Sequence, residues 1–185
     1  MKKNVLIFGL ICGAIISSMM IYGTSKFYDD PNFKGNDFFG YASMIVAFSF
    51  IYVGVRNYRN KYNMGAISFG KAFKVGLFIA LIGSSMYVGV WLIDYYLFVP
   101  DFIDKYTKHV IDTCMADGVP AAEVDAKRAQ MASLKEMYKN PLLVILITYA
   151  EILPIGLIIA LISALILKRK KRQESIISNQ NQSPI

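Results

Sequence analysis

Four stretches of this chain run for about 18 residues or more with at most one charged side chain each: Val5 to Tyr22, Phe38 to Val55, Val75 to Val99, and Leu142 to Leu167. At 1.5 Å of rise per residue, each reaches roughly the 30 Å of a bilayer's hydrocarbon core. Together with 55% hydrophobic residues in 185, they argue against a water-soluble class. The expectation is an all-α integral membrane protein with four transmembrane helices and an extracytoplasmic helical hairpin between helices 3 and 4. The spans are expected at 5–22, 38–55, 75–99 and 142–167 within one domain of residues 1–170. Residues 171–185 are polar and aperiodic, and are expected to form a disordered cytoplasmic tail.

The first run follows a short basic lead, Lys2-Lys3, as a cleaved export signal would, but its apolar stretch exceeds the ~7–15 residues of a signal core. It reads as a retained helix. The two cysteines, Cys12 and Cys114, do not form a disulfide framework pattern.

Charge distribution argues for an orientation. The net charge of +7 invites a nucleic-acid reading, yet the basic residues sit at Lys2 and Lys3, at Arg56, Arg59, Lys61, Lys71 and Lys74, and in the run Lys168, Arg169, Lys170, Lys171 and Arg172. With four spans these three groups share one side of the membrane, accompanied by a single acid, Glu174. The segment from Pro100 to Asn140, on the other side, mixes six basic with seven acidic side chains. This is the positive-inside pattern, so both termini are expected in the cytoplasm of a cell whose inner membrane holds the protein. The Lys168–Arg172 run is expected to meet anionic lipid headgroups, and no nucleic-acid partner is expected. Aromatic residues mark the boundaries: Tyr22, Phe27 and Tyr28; Phe38, Phe39 and Tyr41; Trp91, Tyr95, Tyr96 and Phe98.

Small residues recur at four-residue spacing: Gly9 with Gly13, Ala80 with Ser84, Ser85 with Gly89, and Gly156 with Ala160 and Ala164. Such stripes let helix backbones approach, which favours a packed bundle. Ile67 to Lys74 reads as an amphipathic lead lying in the interface before span three, with Gly65 and Ser68 as turn and cap residues. Between the last two spans, Phe102, Tyr106, Val110 and Ile111 follow helical spacing, as though span three continued outward. Gly118-Val119-Pro120 breaks that pattern, and a second helix should run from Pro120 to before Asn140-Pro141. Its stripe of Val124, Met131, Leu134 and Tyr138 can pack on the first helix.

Catalytic machinery is not expected. The single histidine, His109, is too few for bis-histidine haem or a histidine metal cluster, and reads as a solvated side chain on an exposed helix. No phosphate-binding loop, dinucleotide fingerprint or nucleophile elbow occurs, so catalytic, cofactor and metal sites are all read as none. What remains are acids inside spans. Asp94 lies about three residues from the outer end of span three, within reach of interfacial water. Glu151 lies about nine residues into span four, roughly 13 Å deep, where charge is costly and no Lys or Arg of another span shares its depth. Ser49 and Tyr87 fall within roughly a turn of that level. Pro154, three residues on, cannot donate to the carbonyl of Ala150 and leaves an acceptor beside the acid. One account makes Glu151 a neutral structural acid bonded to Tyr87, Ser49 or that loosened backbone. The other makes it a protonatable group on a pathway.

The stretch YASMIVAFSFIYVGVRNYRNKYNMGAISFGKAFKVG, Tyr41 to Gly76, followed by YVGVW at Tyr87 and EILPIGLIIALISALIL from Glu151, resembles the four-span membrane proteins of Bacteroidota grouped as domain of unknown function 4199. The resemblance covers roughly residues 1–170 and implies no activity. Two functions therefore stand side by side. The first is a structural or interaction component that assembles with a second copy or another membrane protein. The second is a small oligomeric transporter or ion-coupled carrier using Glu151, with Asp94 nearer the exit.

Overall fold

The computed structural model describes residues 1–29 and 37–169, with the backbone alone for 37–39. Six α-helices account for most of them: α1 (Lys2–Asp29), α2 (Asp37–Tyr62), α3 (Phe69–Ile93), α4 (Phe102–Ala116), α5 (Ala121–Tyr138) and α6 (Pro141–Leu167). A π-helical turn, Asp94–Phe98, extends α3. The expected tail at 171–185 and the rings of Phe38 and Phe39 lie outside the described residues.

Among the described residues, three helices are long and apolar enough to cross a membrane: α1, α3 with its π extension as far as Phe98, and α6. The 26-residue α2 packs against all three. α3 lies at the centre, with its largest interfaces against α6 and α1. Small residues make those interfaces close. A methyl group built on Gly9 would stand 2.7 Å from Ile82, and one on Gly13 would stand 2.7 Å from Met86, so α1 presses its glycine stripe against α3. On the other side of α3, a methyl on Gly76 would meet Ala160 at 2.9 Å, and one on Gly156 would meet Ala80 at 3.0 Å. The expected small-residue stripes of α1 and α6 thus find partners. The Ser85–Gly89 pair makes no such close backbone approach: Ser85 is exposed, and a methyl on Gly89 would meet nothing within 4 Å. Phe48, Ile51 and Val55 of α2 are completely enclosed and join the same core as Ile79, Ile152 and Ala164.

Local chemistry sets the helix ends. The Ser68 hydroxyl accepts from the Lys71 amide at 3.4 Å to cap α3, while the Asn140 side chain accepts from the Leu142 amide at 2.9 Å ahead of Pro141. Met64 and Gly65 take positive φ values of 50° and 75° in the α2–α3 turn, where glycine adopts left-handed backbone at no steric cost. The turn leads directly into a helix. Lys71 and Lys74 therefore belong to the first turns of α3, and no separate interfacial helix precedes it. Ile67, expected in that lead, is buried and pairs with Arg169.

The outward continuation of span three also differs from expectation. The π turn closes with Val99 donating its amide to Asp94, and Asp101 then starts α4 as a distinct element. A π turn inserts one extra residue per hydrogen-bonded ring, which no apolar periodicity announces. α4 and α5 pack together across the turn at 117–120, and Lys135 Nζ lies 2.5 Å from Asp104 Oδ1. Val124 and Met131 are buried, and Leu134 and Tyr138 pack with Phe102 against Trp91, Tyr95, Ile103 and Val144.

Candidate functional site

Polar contacts gather the basic groups at one end of the bundle. Near the start of α1, Asn4 Nδ2 donates to the Gly54 carbonyl of α2 at 3.0 Å, and Asn57 Nδ2 donates to Asn4 Oδ1 at 2.6 Å. Ile67 and Arg169 exchange backbone hydrogen bonds of 2.9 and 2.8 Å. Arg59 reaches the Leu167 carbonyl at 3.4 Å, and Lys71 Nζ donates to Asn63 Oδ1 at 2.9 Å. The start of α1, the α2–α3 turn and the end of α6 therefore share one end, with Lys168 and Arg169 exposed there. Lys170, Lys171 and Arg172 lie outside the described residues.

Glu151 occupies a flank of α6. The Gly76–Ala160 and Ala80–Gly156 contacts fix the antiparallel register of α3 and α6 and put Glu151 level with Ser85. That is six residues, or about 9 Å, inward of Trp91. The buried stripe of α6 runs through Val144, Thr148, Ile152, Gly156 and Ala160. Glu151 stands beside it and is exposed, as are Ala150 and Pro154. Tyr87 is buried, within electrostatic range of the Glu151 carboxyl. Ser49 is exposed on α2, and its hydroxyl donates to the Val46 carbonyl at 2.6 Å. The Tyr149 hydroxyl, two residues earlier and about 200° around the helix, donates to Ser85 Oγ at 2.7 Å.

Asp94 lies elsewhere. It starts the π turn and lines a cavity of about 460 Å³ together with Ile21, Thr24, Ser25, Tyr28, Asp29, Phe98 and Val99. Its Oδ2 is enclosed and has no hydrogen-bond partner among the described residues. Glu151 is not among the residues lining this cavity, so the two acids named together from the sequence are separated.

The neighbouring polar network was not legible beforehand. The Tyr28 hydroxyl donates to Asp101 Oδ1 at 2.6 Å, Lys105 Nζ lies 3.0 Å from Asp101 Oδ2, and the same ammonium sits 3.8 Å from the centre of the Tyr28 ring. Hydrogen bonds from Tyr28 and then Lys105 hold the exposed Asp101 carboxyl below its ordinary range. Residues 73 apart in sequence form this junction, and only the Asp101–Lys105 spacing was visible as a helical i,i+4 pair. Burial pushes the Tyr138 phenol up to about 12, against a hydrogen bond with Trp91 that acts the other way. His109 is half-buried with its ring edge-on to Phe27 at 5.5 Å, which corrects the expectation of a solvated side chain. Phe27 attracts it because an aromatic edge and face are complementary.

Among the described residues no three His, Cys, Asp or Glu side chains are grouped to hold a metal ion, and both Cys12 and Cys114 are free thiols. A family model described as "Protein of unknown function (DUF4199)" matches residues 7–169. No curated protein and no solved structure matches the chain.

Proposed function

Because the chain belongs to the DUF4199 family of proteins of unknown function, whose description supplies no activity, we propose from its residues that it is a non-enzymatic structural or interaction component of a bacterial inner membrane. Four helices, α1, α2, α3 and α6, span the bilayer with both termini cytoplasmic, and α4 and α5 form a hairpin on the opposite side. Its partners are the bilayer, anionic headgroups at the Lys168–Arg172 run, and a protein that packs on its membrane-facing surface.

The observation that carries this reading is the position of Glu151. It stands on an exposed flank of α6 instead of lining the cavity at Asp94. A coupling acid of a carrier has to meet a water-filled pathway, and Glu151 is absent from the lining of that cavity. The polar contacts inside the bundle are consistent with a scaffold: Asn4, Asn57 and Gly54 tie α1 to α2, and Tyr149 and Ser85 tie α6 to α3. The carrier reading keeps one supporting feature, the enclosed carboxylate oxygen of Asp94 beside a cavity.

Reconstitution into proteoliposomes decides between the two. Under an imposed proton or sodium gradient, the expected flux equals that of protein-free vesicles. Flux above that baseline which Glu151→Gln abolishes would replace the structural reading with the carrier. Orientation is tested in a variant lacking both native thiols. An impermeant maleimide added to intact cells lacking an outer-membrane barrier should label Asp125→Cys and spare Lys61→Cys, and the opposite labelling would reverse the topology.

A further inference from the structure

The cavity beside Asp94 has a wall chemistry of its own. Ile21, Thr24, Ser25 and Tyr28 recur at i, i+3, i+4 and i+7, so one face of α1 forms one wall, and Asp94 and Phe98 of the π turn form another. It lies where α1 and α3 end, away from the basic groups at their starts. Its volume of about 460 Å³ falls within the roughly 300–1,000 Å³ of small-molecule sites. Two of the wall's hydroxyls have already spent their protons: Thr24 donates to the Met20 carbonyl at 2.7 Å, and Tyr28 to Asp101 at 2.6 Å. What each still offers is a lone pair. The carboxyls of Asp94 and Asp29 line the same space, and among the described residues no Lys or Arg does. The neighbouring ammonium of Lys105 is taken up by Asp101 and the Tyr28 ring. Asp94 Oδ2 is an enclosed acceptor with no donor among the described residues, and such an oxygen carries a cost until a donor meets it. The soft torsion about the aspartate Cβ–Cγ bond turns either oxygen toward the cavity.

From this arrangement we propose that the cavity binds a primary ammonium group carried on an aliphatic stem. An ammonium brings three N–H donors and no acceptor, which matches a wall whose Asp94, Thr24 and Tyr28 oxygens accept. Asp94 binds it as the carboxylate, and the charge makes that hydrogen bond the strongest of the set. The stem lies against Ile21, Phe98 and Val99. An anion would meet two acids and no cation. A quaternary ammonium has the charge without the donors, and would leave the Thr24 and Tyr28 lone pairs unmet. Two sources carry the group: a free amine in the surrounding water, and the ethanolamine headgroup of a phospholipid. Phe98 is 71% exposed, so the mouth of the cavity is continuous with the outer surface of the bundle. Such binding goes beyond the interaction reading and needs no transport.

Titration calorimetry on the full chain in phosphatidylcholine nanodiscs tests it, since the choline headgroup is quaternary and has no N–H to compete. Butylammonium is expected to bind at least about tenfold more tightly than tetramethylammonium, and butyrate not to bind. Asp94→Asn keeps the shape of the side chain and should lower butylammonium affinity about tenfold or more, and Thr24→Val about two- to fivefold. Glu151→Gln, outside the cavity, should leave it unchanged. In nanodiscs with about half the lipid replaced by phosphatidylethanolamine, an affinity at least about fivefold weaker, with that lipid retained by the purified wild type and lost from Asp94→Asn, identifies the headgroup as the source. An unchanged affinity identifies a free amine. Butylammonium and tetramethylammonium binding equally well, or an Asp94→Asn variant that binds as the wild type does, would overturn the proposal. So would an absence of butylammonium binding together with phosphatidylethanolamine retention indifferent to Asp94. Where Asp94→Asn melts lower without ligand, the comparison of the two cations on the wild type and the Thr24→Val variant decide. The interaction reading stands or falls separately, on the flux measurement.

Discussion

Gly9→Leu lowers the thermal midpoint of the detergent-solubilised protein by about 6–12 °C, whereas Gly23→Leu on the same helix leaves it within about 2 °C. The contrast follows from what each new side chain meets. At Gly9 even the first carbon would stand 2.7 Å from Ile82 Cβ and Cγ2 and 3.3 Å from the Ile79 carbonyl, so α1 and α3 would have to separate. At Gly23 there is nothing within 4 Å. Overpacking a tight contact costs about 1–3 kcal/mol, occasionally more, and the α1–α3 interface is one of the two largest in the bundle. Equal melting of the two variants would show that α1 does not pack on α3 through its glycine stripe. Gly9→Ala is a graded version: its methyl still meets Ile82 Cβ, which is fixed to the α3 backbone, but it adds less volume, so a smaller yet measurable loss is expected.

Length and apolar continuity made the long helices legible, and so did the cap chemistry of Ser68 and Asn140-Pro141 and the break at Gly118. These signals are local, since each depends on a few neighbouring residues. Direction around a helix was not legible, and the reason is physical. In water an amphipathic helix declares its buried face by where its apolar residues fall. Apart from Glu151, the apolar residues of α6 run all round it, because hydrocarbon and protein interior ask for the same side chains. Only its small residues, Gly156 and Ala160, betrayed the packed stripe. Ser49 was therefore paired with Glu151 by depth alone, and in the structure it is exposed with its hydroxyl donating to the Val46 carbonyl. The Tyr28–Asp101–Lys105 junction escaped for a different reason. Its members come from the end of α1 and the start of α4, residues 73 apart, and no local pattern relates them. Asp94 was named from the sequence as an acid near the outer end of span three, and in the structure it starts the π turn that follows α3. What the sequence could not supply was the cavity beside it, which Phe98 and Val99 of the π turn and its end help to line.

Trp91→Ala should be the most damaging single change at the outer end of the bundle, and its damage should be local. Trp91 is 7% exposed and packs edge-on against Phe102 at 5.1 Å and beside Tyr95 at 5.8 Å, so it joins α3 to α4. Through its hydrogen bond with Tyr138 it also reaches the end of α5, and Val144 of α6 completes the cluster. Truncating a tryptophan in such a setting costs about 3–5 kcal/mol. The loss falls on the contacts that dock α4 and α5, because the interfaces of α1, α2 and α6 around α3 lie further along the helices. Amide hydrogen exchange in detergent or nanodiscs is expected to accelerate about hundredfold or more across 102–138, with protection in α1 and the inner half of α3 retained. Trp91→Phe keeps a ring for Phe102 and Tyr95 but leaves the Tyr138 hydroxyl without its indole partner, so a smaller acceleration centred on α5 is expected. If exchange in α4 and α5 is unchanged in Trp91→Ala, the two helices are held by their own contacts, such as Lys135 with Asp104, and the aromatic cluster is not what anchors them to the bundle.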